Sequence, residues 1–367
     1  MERGKQTVKK QVRHPELDIA KGFGICFMVL VHAFLQYYPY YEEVNGTFVR
    51  TIFFLGRFPA APVFMFCLGC GVVLSRRNGA GDFLKRGIAT LALGYLVMNV
   101  ATNVIAWVLF ALKNGYLNGE YLLTILRYIP ETFPEVDILQ FAGLTFLFFA
   151  MVKALGLKDW MILLCAVTLS MVGMVLRQVV PVDNGLVRAA AGLLWGNVET
   201  SCFPLFSWII FPCAGYLFCK YLLVPCEKKN RMYAMAGLAG LVVYAILSWI
   251  GLEKNISFAN FGELCLAGDY YHMSLYGNVA ALAFVLFWLW ICRLVAVALP
   301  GWLVAVFRRL SRHITEIYVL HWFLLKCMYM ILPDGSFLSK GSILALSLVI
   351  LILSEAASSL WEKLIKA

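Results

Sequence analysis

The chain has 367 residues, of which 62% are hydrophobic and only 14% are charged, and its mean hydropathy is +0.79. Soluble domains are about 45–50% apolar and about 25% charged, so this composition excludes a soluble globular protein and predicts an integral membrane protein. The net charge of +10 could suggest a nucleic-acid partner, but the basic residues fall in alternate connections between apolar segments, which favours a membrane topology instead.

Apolar segments of about 18–25 residues, each long enough to cross a bilayer as a helix, recur about ten times along the chain. They lie near residues 19–38, 51–75, 87–112, 138–156, 159–179, 202–223, 233–252, 275–298, 313–332 and 341–360. The sequence therefore predicts an all-α fold, a polytopic integral membrane helix bundle of about ten transmembrane helices. We expect residues 1–367 to form a single integral membrane domain that includes a basic N-terminal segment at residues 1–17.

Lysine and arginine are concentrated on one side of these predicted spans. They precede the first span, follow the second, sixth and eighth spans, and close the chain. The opposite connections are long and poor in basic residues: 39–50, 113–137, 180–201, 253–274 and 333–340. Since cytoplasmic connections carry the excess of basic residues, we expect both termini to be cytoplasmic in a multi-pass protein of the cell (cytoplasmic) membrane.

The first span carries two ionisable residues, Lys21 and His32, eleven positions apart. On a helix this spacing is close to three whole turns and roughly 16 Å, so both side chains share one face. Ionisable groups at membrane depth are costly and usually face the bundle interior or a water-filled cavity. His32 is thus a candidate general base. Lys21 either extends toward anionic headgroups or binds a cytosolic anion such as the phosphates of coenzyme A.

Arg57, in the outer part of the second span, is the second candidate catalytic residue. Adjacent antiparallel spans would bring it to the depth of His32, where a cation keeps the imidazole neutral and stabilises a developing oxyanion. The alternative is a structural ion pair with an acid such as Asp137 or Glu355. The basic loop that follows could bind the phosphates of a donor, although membrane topology alone would account for its charge. Its basic residues are Arg76, Arg77, Lys85 and Arg86.

Five further polar side chains are candidates for binding an acceptor substrate. Asp137 and Gln140 stand one turn apart at the outer start of the fourth span, and Tyr318 and His321 share a face of the ninth. His272 lies at the outer mouth of the eighth span. No set of cysteines and histidines has the spacing of a zinc site, so we expect no metal.

These segments resemble the acyltransferase-3 type membrane acyltransferases. A basic residue, ten intervening residues and a histidine, here Lys21 to His32, is similar to the signature of their first span. The stretches 17–22 and 311–321 resemble their opening and late motifs, while 137–140 and 203–208 look more like the related branch that includes heparan-α-glucosaminide N-acetyltransferase. Lysine stands where this family more often has arginine, which weakens the case for bidentate phosphate binding there.

The resemblance implies an acyl-CoA-dependent O- or N-acetyltransferase. An acyl group, usually acetyl, would pass from cytosolic acyl-CoA (acetyl-CoA), bound near Lys21, Arg76, Arg77, Lys85 and Arg86, to an acceptor at the outer face, often a saccharide. The acceptor would enter past Arg57, Asp137, Gln140 and His272 and react at His32. The alternative is a transporter or permease-like module for a small polar molecule. We expect membrane lipids as partners and no nucleic acid. Whether the protein forms a homodimer is left open by the sequence.

Overall fold

The computed structural model describes residues 13–39, 46–179, 185–196, 201–254, 270–328, 332 and 337–366. Over these residues the chain forms sixteen α-helices, and the β-structure among them is one isolated bridge between Val136 and Ser201. The first eight helices are α1 Pro15–Tyr37, α2 Thr47–Arg57, α3 Ala61–Leu74, α4 Ala80–Ala92, α5 Thr102–Lys113, α6 Gly119–Thr132, α7 Ile138–Ala154 and α8 Asp159–Val179. The others are α9 Gly185–Leu194, α10 Leu205–Trp208, α11 Ile210–Phe218, α12 Lys229–Glu253, α13 Leu275–Ala298, α14 Gly301–Arg312, α15 Ile314–Met328 and α16 Lys340–Lys366.

Eight helical stretches in the described part of the chain are long and apolar enough to cross a membrane. They are Pro15–Tyr37, Thr47–Leu74, Ala80–Lys113, Asp159–Gln178, Leu205–Leu223, Lys229–Glu253, Leu275–Ala298 and Lys340–Leu364. The two remaining predicted spans contain the shorter helices α7 and α15. The prediction of an all-α, polytopic membrane bundle is therefore confirmed.

The second span is broken where Pro59 stands between α2 and α3. Proline lacks a backbone N–H and its ring clashes with the preceding turn, so a helix cannot continue smoothly through it. The break makes Arg57 the last residue of α2, where a cation interacts favourably with the helix dipole. Irregular backbone at membrane depth is tolerated where it lines a cavity or is buried in protein, and this break does both.

A π-helical segment, Leu93–Ala101, joins α4 to α5 within one long span. Such segments within α-helices are often found at functional sites, because the extra residue changes the direction of the side chains that follow. Asn99 lies in this segment and is buried. Gly94, also in the segment, is close to the Gln140 side chain, which a Cβ at position 94 would approach to 2.9 Å.

Helix α1 lies at the centre of the bundle and packs against α2, α3, α13, α14, α15 and α16. Glycines allow two of these close approaches. A Cβ at Gly24 would lie 2.8 Å from the ring of Phe64, and one at Gly56 would lie 2.7 Å from Val31. Because α1 touches so many helices, its Lys21 and His32 face residues from distant parts of the sequence.

Both ends of the described chain lie at the same end of the bundle. The Ser311 hydroxyl donates a 2.7 Å hydrogen bond to Asp18 near the start of α1. Arg312 pairs with Glu362 near the end of α16, at 3.6 Å. The end of helix α14 thus contacts both the start of α1 and the end of α16. We call this the basic end of the bundle, since the side chains of Arg13, Arg309 and Arg312 lie here.

Several predicted connections contain helices. The connection 113–137 includes α6, whose Asn118 side chain caps the Tyr121 amide at 2.8 Å; 180–201 includes α9, and the basic stretch after the eighth span forms α14. Residues 255–269, most of the predicted connection 253–274, lie outside the described residues. Helix α1 already begins at Pro15, so the end of the predicted segment 1–17 belongs to the first span.

Candidate active site

A cavity of 230 Å³ lies beside His32 and is lined from several helices. We call it the histidine cavity. Its polar and aromatic walls include His32, Arg57, Asp137, Tyr270, Tyr271, Tyr318 and Trp322. The catalytic residues predicted from the sequence, His32 and Arg57, therefore line one space, together with two of the predicted acceptor-binding residues, Asp137 and Tyr318.

His32 is held against α15 by a second histidine. Its Nδ1 lies 2.8 Å from Nε2 of His321, and the other nitrogen of His321 lies 3.0 Å from the carbonyl oxygen of Ile317. The His32 ring also stacks on Trp322, with centroids 4.3 Å apart and planes inclined by 27°. His321 is completely buried and, among the described residues, it is not part of the lining of the cavity.

Arg57 enters the histidine cavity from the broken second span. Its guanidinium lies 5.4 Å from the ring centroid of Tyr270 and 5.8 Å from that of Phe53. The Tyr270 hydroxyl donates to the backbone carbonyl of Arg57 at 3.0 Å, which fixes the end of α2. Glu355, one suggested ion-pair partner, lies instead 3.4 Å from Arg309. The arginine is thus a cation placed between aromatic faces at the cavity wall.

Asp137 is the N-cap of α7 and a wall of the same cavity. Its carboxylate accepts hydrogen bonds from the Tyr318 hydroxyl and, at 2.7 Å, from the Ile138 amide. The carboxylate therefore joins α7 to α15 at the site.

Gln140 lies behind Asp137 rather than on the cavity wall. Its side-chain oxygen accepts from the Asp137 amide at 3.2 Å, and its side-chain nitrogen lies 3.3 Å from Asn99 Oδ1. The backbone carbonyl of Asn99 accepts from the Asn103 side-chain nitrogen at 2.9 Å, and Lys326 donates to Asn103 Oδ1 at 2.5 Å. A chain of buried amides thus connects the site to a cation on α15.

A second cavity, of 300 Å³, contains Lys21 and Arg86. We call it the lysine cavity. Its other walls are mostly apolar and include Ile25, Leu68, Leu139, Phe141, Phe146 and Ile314. Lys21 lies 3.8 Å from the carboxylate of Asp18, and the Arg86 guanidinium lies over the ring of Phe83 at 5.7 Å. This cavity combines two cations with a long apolar surface.

The two cavities adjoin. Four side chains line both of them: Met28, Phe64, Ile138 and Tyr318. These four side chains therefore form a wall that the two cavities have in common. This shared wall is the central feature of the site, because Lys21 lines the cavity on one side of it and His32 lines the cavity on the other.

The structure brings together some of the predicted residues and leaves others apart. Lys21 and Arg86 line the lysine cavity, whereas Arg76, Arg77 and Lys85 are exposed and line neither cavity among the described residues. His272 packs against Gly196 and is likewise absent from both linings. Predicted donor contacts at Arg76, Arg77 and Lys85 therefore require a ligand that extends beyond the cavity.

Six aromatic side chains of the histidine cavity were not among the site residues predicted from the sequence: Phe53, Phe64, Phe203, Tyr270, Tyr271 and Trp322. The two tyrosines belong to a connection that is rich in aromatic residues, a pattern equally typical of membrane interfaces. Trp322 directly follows His321, and its position beside a predicted site residue was the only sequence signal for its role in the cavity wall. Among the described residues, no group of three or more His, Cys, Asp or Glu side chains is placed to bind a metal ion.

The sequence family described as "Acyltransferase domain" matches residues 14–356, which is nearly the whole described chain. The chain belongs to the acyltransferase-3 family. This membrane acyltransferase therefore carries its predicted signature, Lys21 to His32, on a helix that lines both cavities. No curated protein gives a significant match to it. The similarity to the heparan-α-glucosaminide N-acetyltransferase branch stays a prediction.

Proposed function

We propose that this acyltransferase transfers an acyl group, acetyl in the simplest case, from acyl-CoA to a hydroxyl or amine of a saccharide acceptor. The donor would occupy the lysine cavity and the acceptor the histidine cavity, with His32 as the general base. The observation that supports this arrangement is the shared wall of Met28, Phe64, Ile138 and Tyr318, where the thioester and the acceptor would meet.

The lysine cavity has the chemistry that a coenzyme A ester requires. Lys21 and Arg86 supply positive charge for the phosphates at the basic end, and the apolar walls suit the pantetheine arm. That arm is about 15–20 Å long by chain reach, and a helix places Lys21 roughly 16 Å from His32 along its axis. A donor whose phosphates lie beside Lys21 would therefore present its thioester near His32.

The histidine cavity has the chemistry that a saccharide requires. Asp137 offers carboxylate oxygens to hydroxyl groups, and the rings of Tyr270 and Tyr271 offer flat apolar faces. In the proposed reaction His32 takes the proton of the attacking hydroxyl as its oxygen bonds to the thioester carbon. Arg57 stabilises the resulting oxyanion, the C–S bond then breaks, and the thiolate of coenzyme A receives the proton from His32.

A decisive experiment uses the purified protein in lipid nanodiscs with acetyl-CoA labelled on the acetyl group. We expect free coenzyme A thiol and labelled acceptor to appear together when a mixture of saccharides is supplied. His32→Ala should abolish both while the protein stays folded, because the change leaves a small cavity and no unpaired charge. His313→Gln, a change at a histidine that lies at the basic end beside Glu362, is the matched control.

The same assay distinguishes the alternative of a transporter. A transporter would move a solute across the vesicle membrane without consuming the thioester. Thiol release by the wild type would then be at background, and His32→Ala would give the same rate. Thioester consumption that is equal in wild type and His32→Ala would overturn the proposed function.

A further inference from the structure

When both are neutral, the two histidines of the site can satisfy their contacts with only one arrangement of protons. A carbonyl oxygen only accepts, so the His321 nitrogen 3.0 Å from the Ile317 carbonyl, Nδ1, carries the hydrogen. In a neutral His321 the other nitrogen, Nε2, is then an acceptor. That nitrogen lies 2.8 Å from Nδ1 of His32, so His32 donates from Nδ1 and retains its lone pair on Nε2.

Packing leaves His321 little freedom to change this arrangement. Its side chain is completely buried, and its ring lies nearly parallel to that of His32, with an interplanar angle of 13°. The Tyr318 ring packs against it at an angle of 63°, with centroids 5.5 Å apart. His321 therefore presents Nε2 to His32 in a fixed direction.

We propose that His321 is a positioning residue that fixes the tautomer and orientation of His32, so that Nε2 of His32 is the basic atom in the histidine cavity. This inference rests on the proposed function for the role of His32 as base. It differs from the sequence-based expectation that His321 binds the acceptor, since His321 lies behind His32 rather than in the cavity lining.

A neutral imidazole can perform the task that a carboxylate performs in other base–orienter pairs. When His32 takes a proton on Nε2, its Nδ1–H still donates to His321, and the hydrogen bond becomes charge-assisted and stronger. A buried carboxylate at position 321 would instead require an uncompensated charge in the resting site. The pair thus stabilises the imidazolium only when catalysis forms it.

The first test compares His321→Gln with His321→Leu in the acetyl-transfer assay. Glutamine supplies an amide oxygen that can accept from His32 Nδ1, whereas leucine fills a similar volume and accepts nothing. We expect His321→Leu to lower kcat about 100-fold with an unchanged KM for acetyl-CoA, and His321→Gln to recover at least about tenfold of that loss. Wild-type kcat in a folded His321→Leu protein would overturn the proposal.

The second test needs no donor and no acceptor. Nitrogen-15 spectroscopy of histidine-labelled protein reports which ring nitrogen carries the hydrogen. We expect Nδ1–H for both His32 and His321 in the wild type, and an increased share of Nε2–H at His32 in His321→Leu. An Nε2–H tautomer of His32 in the wild type, or a tautomer unchanged in His321→Leu, would overturn the role of His321. If the tautomers are as expected but the wild type transfers no acetyl group, the proposed function fails while the role of His321 in fixing the tautomer stands.

Discussion

The Tyr318 hydroxyl donates a hydrogen bond to the carboxylate of Asp137, and both side chains line the histidine cavity. The bond joins α15 to the start of α7 across a separation of 181 residues in the sequence. Tyr318 also lines the lysine cavity. This contact therefore holds together the wall at which the proposed donor and acceptor meet.

Tyr318→Phe should lower both stability and acceptor affinity. The change removes a hydrogen-bond donor from a partly buried carboxylate, and such a loss costs about 1–3 kcal/mol. We expect a lower melting temperature in detergent and a higher KM for the acceptor, while the KM for acyl-CoA changes less. Asp137→Asn is the matched variant, since asparagine is also a good N-cap and still accepts from Tyr318; it should destabilise less. Equal melting temperatures for Tyr318→Phe and the wild type would show that the hydrogen bond is energetically neutral.

Arg57 provides a test of the oxyanion role. Arg57→Ala removes the cation from the cavity wall and should lower kcat about 10²- to 10³-fold, the usual cost of removing one oxyanion donor. Arg57→Lys keeps the charge and loses the planar fork and its stacking between Phe53 and Tyr270, so it should be partly active. The measurement is steady-state transfer at saturating acyl-CoA. If Arg57→Ala transfers at the wild-type rate, the arginine is structural.

Two pairs of basic residues provide a test of where the donor phosphates bind. Lys21→Gln combined with Arg86→Gln should raise the KM for acyl-CoA more than it lowers kcat, because both side chains line the lysine cavity. Arg76→Gln combined with Arg77→Gln removes the same formal charge from an exposed loop. We expect its effect on KM to be smaller and to vanish at high salt, where exposed charges are screened. Equal effects of the two double variants would place the phosphates outside the cavity.

Sidedness can be tested with single cysteines at two exposed glycines. A Cβ at Gly81 or Gly119 meets no other atom within 4 Å, so each substitution is sterically free. The positive-inside rule places Gly81, beside the basic loop, in the cytoplasm and Gly119 outside. An impermeant thiol reagent should label the cysteine of Gly119→Cys in intact cells and that of Gly81→Cys only after lysis. The reverse pattern would put the lysine cavity on the side that lacks acyl-CoA.

The sequence predicted several features of the site because they depend on one helix. Lys21 and His32 share a face of α1 for geometric reasons that hold in any α-helix. Local periodicity and the cost of burying charge in a membrane are sufficient for that conclusion. The break at Pro59 was not predicted, since residues 51–75 were expected to form one span, whereas the structure ends α2 at Arg57.

Contacts between helices could not be predicted in this way. Apolar side chains cover nearly every face of a membrane helix, so hydrophobic periodicity does not indicate which faces meet. Loop charge, similarly, could not separate Arg86, which lines the lysine cavity, from Arg76 and Arg77, which are exposed. The basic cluster predicted from charge therefore includes residues that do not line this cavity.

The sequence by itself determined that this protein is an all-α membrane bundle, that it is an acyltransferase-3 family member, and that α1 presents a lysine and a histidine to one side. Only the tertiary structure decided that His321 lies 2.8 Å from His32 across 289 residues of sequence, and that two cavities share a wall at Tyr318. The physical reason is that composition and periodicity act within one segment, whereas the site is formed by the packing of several segments around α1.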